Sequence, residues 1–187
     1  MGEKGVKYGN IHKELIERCK AGERDAQFEI YGLYYKSMYN TCLRIVNDAS
    51  VAEDLMQESF LSAFSKINTY RGTVSFGAWL KRIVVNRSID YIRKKKLNIL
   101  ELNNHHSDIR DEDLADDFEY SEDLIKKVKQ ALAILPEGYR IVLSLNILEG
   151  YNHSEVGQIL GISESTSRSQ LARAKKKIIG IIKKQLS

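Results

Sequence analysis

Several features that would point to other classes of protein are scarce in this sequence of 187 residues. Its two cysteines, Cys19 and Cys42, both lie in stretches with helical patterning. A disulfide framework is therefore not expected, and the thiols are predicted to be reduced in a cytosolic protein. No apolar run approaches the roughly 20 residues needed to span a bilayer, so direct membrane insertion is not expected. The N-terminal stretch MGEKGVKYGN lacks an apolar signal core, which predicts a cytoplasmic protein.

Proline is also scarce, and the residue combinations typical of catalytic or metal-binding sites are not evident. Pro136 is the only proline, and few stretches alternate between apolar and polar residues, so an all-α fold is predicted. No Ser–His–acid set, metal-ligand cluster or phosphate-binding loop is evident. His105 and His106 lack cysteine partners and are interpreted as solvated residues rather than metal ligands. The sequence therefore predicts neither an enzyme nor a bound metal or cofactor.

Charge is distributed unevenly behind a formal net charge of +4. Residues 1–96 contain 17 basic and 11 acidic side chains. Residues 97–124 contain one basic and ten acidic side chains, and residues 125–187 contain 11 basic and four acidic side chains. Two basic modules thus flank an acidic segment. Basic modules suit polyanions such as nucleic acid, although charge alone is equally compatible with solvated helices.

Hydrophobic periodicity divides the chain into two small helical domains, residues 1–96 and 121–187. The first domain should contain four helices. The first two cover about 11–21 and 25–46, the third is capped by Ser50 with Glu53, and the fourth runs from Ser75 to about 96. The second should contain helices over about 121–134, 137–149, 152–160 and 163–184. Residues 97–120 are acidic and polar without helical period, which predicts an extended, flexible linker.

The stretch from Tyr151 to Lys177 predicts a helix-turn-helix. Asn152 and Glu155 have capping-box spacing, Gly161 suits a helix end, and Ser163 can cap a basic second helix. A helix hairpin with a solvated basic face is the alternative. Arginines can pair with both acceptors of guanine, and later lysines suit phosphates. The predicted DNA contacts of this recognition helix are Ser165, Arg168, Ser169, Gln170, Arg173, Lys175 and Lys176, whereas Thr166 and Leu171 are assigned to the core.

A second DNA site is predicted on the fourth helix and the loop before it. Asn86, Asp90 and Arg93 share one helical face, and Tyr70 and Arg71 lie in the loop. Aromatic and basic residues together suit single-stranded DNA, whereas Trp79 alone is assigned to the core. The full set is Tyr70, Arg71, Arg82, Asn86, Arg87, Asp90, Arg93 and Lys94.

The third helix differs in carrying acidic and amide side chains within a basic domain. This composition favours a docking surface for a protein partner, with an ordinary amphipathic helix as the alternative. The candidate contacts are Glu53, Asp54, Gln57, Glu58 and Phe60.

Three stretches, taken in order, resemble one family. They are AEDLMQESFLSAF, FGAWLKRIVVNRSIDYIRKKK preceded by Tyr70, and LPEGYRIVLSLNILEGYNHSEVGQILGISESTSRSQLARAK. Together they resemble extracytoplasmic-function (ECF) sigma factors, small members of the sigma-70 family of bacterial transcription initiation factors. Ser167 and Gln170 depart from the family pattern, which has an aliphatic residue and often an arginine there.

The resemblance implies a set of partners and roles. The third helix would grip the largest-subunit coiled coil of core RNA polymerase, and the polymerase flap is a further implied contact. The 68–75 loop and fourth helix would recognise and melt the minus-ten element, with the loop capturing a base of the non-template strand. Arg168, Ser169 and Arg173 would read the duplex minus-thirty-five element, and the acidic linker would thread toward the polymerase active centre. The resemblance also implies control by an anti-sigma protein, of a kind often anchored in a membrane.

A stand-alone helix-turn-helix regulator is the alternative function, because it would bind duplex DNA without polymerase. Such proteins usually carry a sensor or dimerisation domain. The first half of this sequence shows neither the strand pattern of a receiver domain nor a ligand-pocket signature.

Overall fold

The computed structural model describes residues 12–102 and 121–186. Across these residues the regular structure is helical throughout, with eight α-helices and no strand, which confirms the all-α prediction. The chain divides into two compact units, Met1–Ser88 and Ile89–Ser187. None of the described helices is both long and apolar enough to cross a bilayer.

Helices α1 to α4 occupy the first half of the chain. They are α1 (Lys13–Lys20), α2 (Arg24–Val46), α3 (Ala49–Ser65) and α4 (Phe76–Leu102), with a 3₁₀ turn at Ile67–Thr69. Apolar residues at helical spacing form the core of this unit, and each buries nearly all of its side chain: Ile16, Ile30, Met38, Ile45, Met56, Phe60, Leu80 and Val84. Cys19 and Cys42 are buried in this core as thiols outside any disulfide, and burial raises the pKa of the Cys19 thiol.

Two of the predicted helix boundaries in this half need correction. Asp48, rather than Ser50, caps α3, because its carboxylate accepts a hydrogen bond from the Val51 amide at 3.1 Å. Asn47, in the left-handed conformation with φ 56°, ends α2 directly before it. Ser75 does cap α4, accepting from the Ala78 amide at 3.3 Å. Helix α4 continues through Leu102, so residues 97–102 are helical, and residues 103–120 of the predicted linker lie outside the described residues.

Helices α5 to α8 form the second half around a smaller core. They are α5 (Ser121–Ala133), α6 (Glu137–Leu143), α7 (His153–Leu160) and α8 (Glu164–Leu186). Leu135, Val142, Leu145, Val156 and Ala174 are almost fully buried among them. Pro136 is the N-cap of α6, and the helix begins at Glu137, which is the predicted start.

The predicted helix over 137–149 is divided into α6 and a π-helical turn at Ser144–Leu148. The Glu149 amide donates to the Ser144 carbonyl at 3.0 Å, five residues back, which is the π-helical spacing. The Asn146 side chain donates to the Tyr151 carbonyl at 2.8 Å and holds the following turn. Arg140 of α6 is buried and donates to the Leu135 carbonyl at 3.3 Å, and burial lowers the pKa of its guanidinium. The widened turn thus leads from α6 into the start of α7.

Candidate nucleic-acid interface

The helix-turn-helix forms through the caps that the sequence predicts. The Asn152 side chain accepts from the Glu155 amide at 2.9 Å while the Glu155 carboxylate accepts from the Asn152 amide at 2.8 Å, completing a capping box. Gly161 ends α7 with φ 68°, a left-handed conformation that glycine adopts without steric cost. Ser163 then caps α8 by accepting from the Thr166 amide at 3.1 Å. These three caps fix the direction in which α8 leaves the turn.

Helix α8 separates a buried face from an exposed basic face. Ser167, Leu171 and Ala174 are buried at positions that share one side of the helix. The other side exposes most of the predicted DNA contacts: Ser165, Arg168, Ser169, Arg173, Lys175 and Lys176. Gln170 is half-buried because it stands next to the core face.

The exposed residues of α8 differ in how free their side chains are. Arg168 forms an ion pair with Glu164 one turn earlier, and the Ser169 hydroxyl donates to the Thr166 carbonyl at 3.0 Å. Ser165 contacts the Ser163 hydroxyl at 2.9 Å. Arg173 has no hydrogen-bond or ion-pair partner within the described ranges, 12–102 and 121–186. Of the two arginines predicted to read base edges, Arg173 therefore has the freer guanidinium.

Ser167 belongs to the core of the motif, a role that the sequence did not assign to it. Its side chain is fully buried, and a hydrogen bond of 2.9 Å joins its Oγ to His153 Nδ1 at the start of α7. This bond links the first helix of the motif to the recognition helix. The hydrogen-bonded pair of Ser167 and His153 therefore replaces the aliphatic residue that the family pattern has at position 167. His153 was the residue in the sequence that could have indicated this buried role.

We expect Ser167→Ala to lower the free energy of unfolding by about 1–3 kcal/mol, because His153 Nδ1 loses its partner inside the fold. Urea denaturation followed by circular dichroism measures this loss. As a control, Ser154→Ala changes an exposed serine next to His153 in the first turn of α7. Its free energy of unfolding should stay within about 0.5 kcal/mol of that of the original chain. Equal stability of the two variants would show that the His153–Ser167 bond contributes little.

The predicted contacts on α4 form an exposed stripe along the helix. Arg82, Asn86, Asp90, Arg93 and Lys94 are all exposed. Arg93 donates to Asp90 at 3.4 Å and to the carbonyl oxygen of Ile159 at 2.7 Å, so its guanidinium has partners in this structure. The stripe offers amide, carboxylate and guanidinium groups, which can hydrogen-bond to bases and phosphates.

The loop before α4 is organised by an aromatic cluster. Tyr70 is only 5% exposed, its hydroxyl donates to the Val74 carbonyl at 2.8 Å, and its ring lies 5.4 Å from Phe76 and 5.5 Å from Trp79. Tyr70 therefore shapes the loop from inside, whereas the sequence suggested a stacking surface for a base. Arg71, the next residue, is exposed and forms no ion pair within the described part of the chain.

The third helix exposes a mixed acidic and apolar stripe. Asp54, Gln57 and Glu58 are exposed, and Leu61, one turn further along the same face, is 71% exposed. Phe60 is 2% exposed and packs 4.8 Å from the Tyr31 ring, so its side chain supports the fold beneath the stripe. Leu61 is the exposed apolar residue of this stripe that the sequence prediction left out, although its spacing from Asp54 could have revealed it.

One ion pair joins the two predicted surfaces of this half. Arg87 of α4 donates to Glu58 of α3, which ties a predicted DNA contact to a predicted polymerase contact. The Gln57 amide donates to Glu53 at 3.3 Å, whereas Asp54 has no partner among the described residues. Asp54 is thus the carboxylate on this stripe that is available to another molecule.

No group of three or more His, Cys, Asp or Glu residues that could hold a metal ion occurs within residues 12–102 and 121–186. His105 and His106 lie outside the described residues.

Comparisons with known proteins match both halves of the chain. Residues 30–97 match the family model described as sigma-70 region 2, and residues 125–178 match the model described as sigma-70, region 4. The ECF RNA polymerase sigma factor SigW of Bacillus subtilis is 30% identical over 172 residues, which cover 87% of this chain and 92% of that protein. SigM of the same organism is 31% identical, covering 80% of this chain and 91% of its own.

Two solved structures share the fold. The sigma factor RpoE, in complex with the anti-sigma factor NepR from Bartonella quintana, has a TM-score of 0.59 at 19% identity and covers 83% of this chain and 95% of its own. CnrH, in complex with the cytosolic domain of CnrY, has a TM-score of 0.54 at 20% identity, covering 91% of this chain and 96% of its own.

Proposed function

Because this chain belongs to the ECF sigma factors of the sigma-70 family, we propose that it binds core RNA polymerase, directs it to specific promoters and helps to open the DNA. The matches to both sigma-70 regions account for the two halves together, so a stand-alone regulator is not favoured. The observation that carries the proposal is the presence of three separate exposed surfaces, on α3, α4 and α8, each with the chemistry of a different partner.

The α8 surface is proposed to bind the duplex minus-thirty-five element. Arg173 has the freer guanidinium and would pair with base edges in the major groove, while Lys175 and Lys176 contact phosphates. Phosphate contacts position the helix without reading sequence, so Arg173 contributes most to specificity.

The α4 stripe and the loop at Arg71 are proposed to bind the melted minus-ten element. Opening the DNA duplex requires no covalent step. Binding of the unpaired bases offsets the unstacking free energy, which is a few kcal/mol for each base that leaves the duplex. Binding of α8 upstream raises the effective concentration of this second, weaker site. The two surfaces then act as one promoter-binding unit.

The α3 stripe is proposed to dock on the largest-subunit coiled coil of the polymerase. Asp54 and Gln57 provide exposed polar groups, and Leu61 provides an apolar anchor beside them. Ile147 and Leu148, which are 50% and 47% exposed after α6, are the proposed contact for the polymerase flap. Since the RpoE neighbour is bound to the anti-sigma factor NepR, we also propose control by such a partner.

The test of this function is to mix the purified chain with bacterial core RNA polymerase. Size-exclusion chromatography reports complex formation, and run-off transcription on genomic fragments reports new start sites. A stable complex with new start sites is the expected result. Tight binding to duplex DNA without any polymerase complex would instead support the stand-alone regulator.

Arg173→Ala should abolish or strongly relax selection of the upstream element and leave the affinity for core polymerase unchanged. A bidentate contact to guanine discriminates by about 1–3 kcal/mol, which is roughly a 5- to 150-fold change in promoter preference. Run-off transcription on promoters with original and altered upstream elements measures it. An equal fall in polymerase binding would show that Arg173 belongs to another surface.

A further inference from the structure

Helix α2 exposes two large apolar side chains on the side opposite the core. Phe28 is 74% exposed and Leu33 is 55% exposed, whereas Ile30 and Met38 of the same helix are buried. Exposed residues at spacings of three and four share this side with them, so together they form one outward face. The outward face consists of Asp25, Phe28, Glu29, Gly32, Leu33 and Lys36. The sequence prediction assigned no partner to it.

Gly32 lies in the middle of the outward face and in the interior of a 23-residue helix. Glycine weakens a helix interior relative to alanine. A Cβ atom at this position would meet no described atom within 4 Å, so packing among the described residues does not require a glycine here. The missing side chain does leave the backbone open to close approach by a second helix, since the distance between packed helices depends on the side chains at the contact.

The charges of the outward face are complementary to the face itself. Asp25 lies in the first turn of α2 and Lys36 about three turns later. Neither has an ion-pair partner in residues 12–102 and 121–186, whereas the Glu29 carboxylate lies 3.5 Å from the Arg18 guanidinium. Two antiparallel copies of α2 would place Asp25 of each copy beside Lys36 of the other. Parallel copies would place like charges together, which is unfavourable.

The same antiparallel register also pairs the apolar residues. It places Phe28 of each copy beside Leu33 of the other, and Gly32 beside Glu29. Positions 25 and 36, 28 and 33, and 29 and 32 are symmetric about one point of the helix, so a single two-fold axis satisfies all three pairs. Gly32 leaves room for the Glu29 side chain, which can keep its contact with Arg18.

We propose that the outward face of α2 is a self-association surface, through which two copies of the free chain form a weak antiparallel dimer. A second copy is the occupant that the face fits, because one register pairs its opposite charges and its apolar residues together. Two helices form a small interface, so we expect a dissociation constant in the micromolar range. The inference goes beyond the proposed function, since none of these residues belongs to the surfaces on α3, α4 and α8.

Sedimentation velocity of the full chain, at about 1 to 100 μM, tests the dimer because this range brackets weak association. The average mass should rise with concentration from one chain toward two. Phe28→Ala and Leu33→Ala should each weaken the dimer by about tenfold or more, since each residue occurs twice in a two-fold interface. Leu97→Ala removes a 61% exposed leucine from α4 and should leave the dissociation constant unchanged. A chain that stays monomeric throughout would leave the face to another partner and overturn the inference.

A charge exchange tests the register. Asp25→Lys places a cation beside Lys36 of the second copy, and Lys36→Asp places a carboxylate beside Asp25, so each variant alone should be monomeric. An equimolar mixture of the two variants restores opposite charges at both contacts and should form a heterodimer. If the original chain dimerises but this mixture stays monomeric, the antiparallel pairing of α2 is overturned.

Gly32→Gln tests the close approach of the two helices. Its side chain points into open space in a single chain, so circular dichroism should show that the helix content is retained. The same side chain would occupy the room that Glu29 of the second copy requires, so the dimer should weaken by about tenfold or more. A dimer of unchanged strength in this variant would mean that the contact lies on another surface.

Discussion

Gly157→Ala is expected to disrupt the helix-turn-helix and abolish selective use of the upstream promoter element. A Cβ atom at this position would lie 2.8 Å from the Ile162 carbonyl oxygen and 3.7 Å from the Glu164 amide nitrogen. Both are backbone atoms of the turn, so neither can rotate away as a side chain could. The Ile162 amide also donates to the Gly157 carbonyl at 3.0 Å, which ties the turn to this residue.

The size of the effect follows from two opposing terms. Alanine is favoured over glycine inside a helix by about 1 kcal/mol. Overpacking a well-packed site costs typically about 1–3 kcal/mol, and here the displaced atoms belong to the segment that aims α8. We therefore expect a lower free energy of unfolding. We also expect a loss of promoter selectivity that, expressed as a free energy, is larger than the loss of stability. Urea denaturation and run-off transcription measure the two effects.

Gly180→Ala is the matched control, because it makes the same change in α8 at a position where a Cβ would meet no atom within 4 Å. This variant should gain about 0.5–1 kcal/mol of stability and keep its promoter selectivity. If Gly157→Ala is also stabilised, the turn can shift without cost and the close approach at Gly157 has no role in positioning α8.

Local patterns predicted the helix-turn-helix well because its boundaries are set by residues near in sequence. The Asn152 and Glu155 capping box, the left-handed Gly161 and the Ser163 cap all depend on groups within four residues, and all are present. The cap of α3 was misplaced for a related reason. Both Asp48 and Ser50 suit a helix start, and the left-handed Asn47 decides in favour of Asp48.

Features that depend on distant partners could not be predicted from spacing. Gly157 reads as an ordinary glycine that weakens a helix, and only the approach of Ile162 and Glu164 explains it. Ser167 reads as a departure from an apolar pattern until His153 is found beside it. Tyr70 was expected to stack on a base, but its contacts with Phe76 and Trp79 place it inside the loop.

The α3 stripe shows how far a helical pattern can go. Asp54, Gln57 and Glu58 were predicted from composition and are exposed. Phe60 was also predicted as a contact, but it is 2% exposed and packs against the Tyr31 ring, whereas Leu61 is 71% exposed. Counted from Asp54, spacings of three, four and seven residues give Gln57, Glu58 and Leu61, whereas counting from Glu53 gives Gln57 and Phe60. The period alone therefore allows both residues, and burial in the fold separates them.

Asp54→Ala with Gln57→Ala is expected to weaken binding to core RNA polymerase by about tenfold or more, as truncation of central contacts at an interface commonly does. Both side chains are exposed, so the fold should be retained. Because Leu61 lies on the same stripe, Leu61→Ala should also weaken binding. Titration of labelled chain with core polymerase measures all three affinities in the absence of DNA.

Matched variants decide whether this loss belongs to the α3 stripe. Asp25→Ala and Leu33→Ala remove an exposed aspartate and a 55% exposed leucine from α2, and neither should change polymerase affinity. Unfolding measurements should place all of these variants within about 0.5 kcal/mol of the original chain. Unchanged affinity in the Asp54 and Gln57 variant would move the polymerase interface to another surface. A loss confined to the α3 variants would assign the α3 stripe to polymerase docking, because the controls remove an exposed aspartate and an exposed leucine from a different helix.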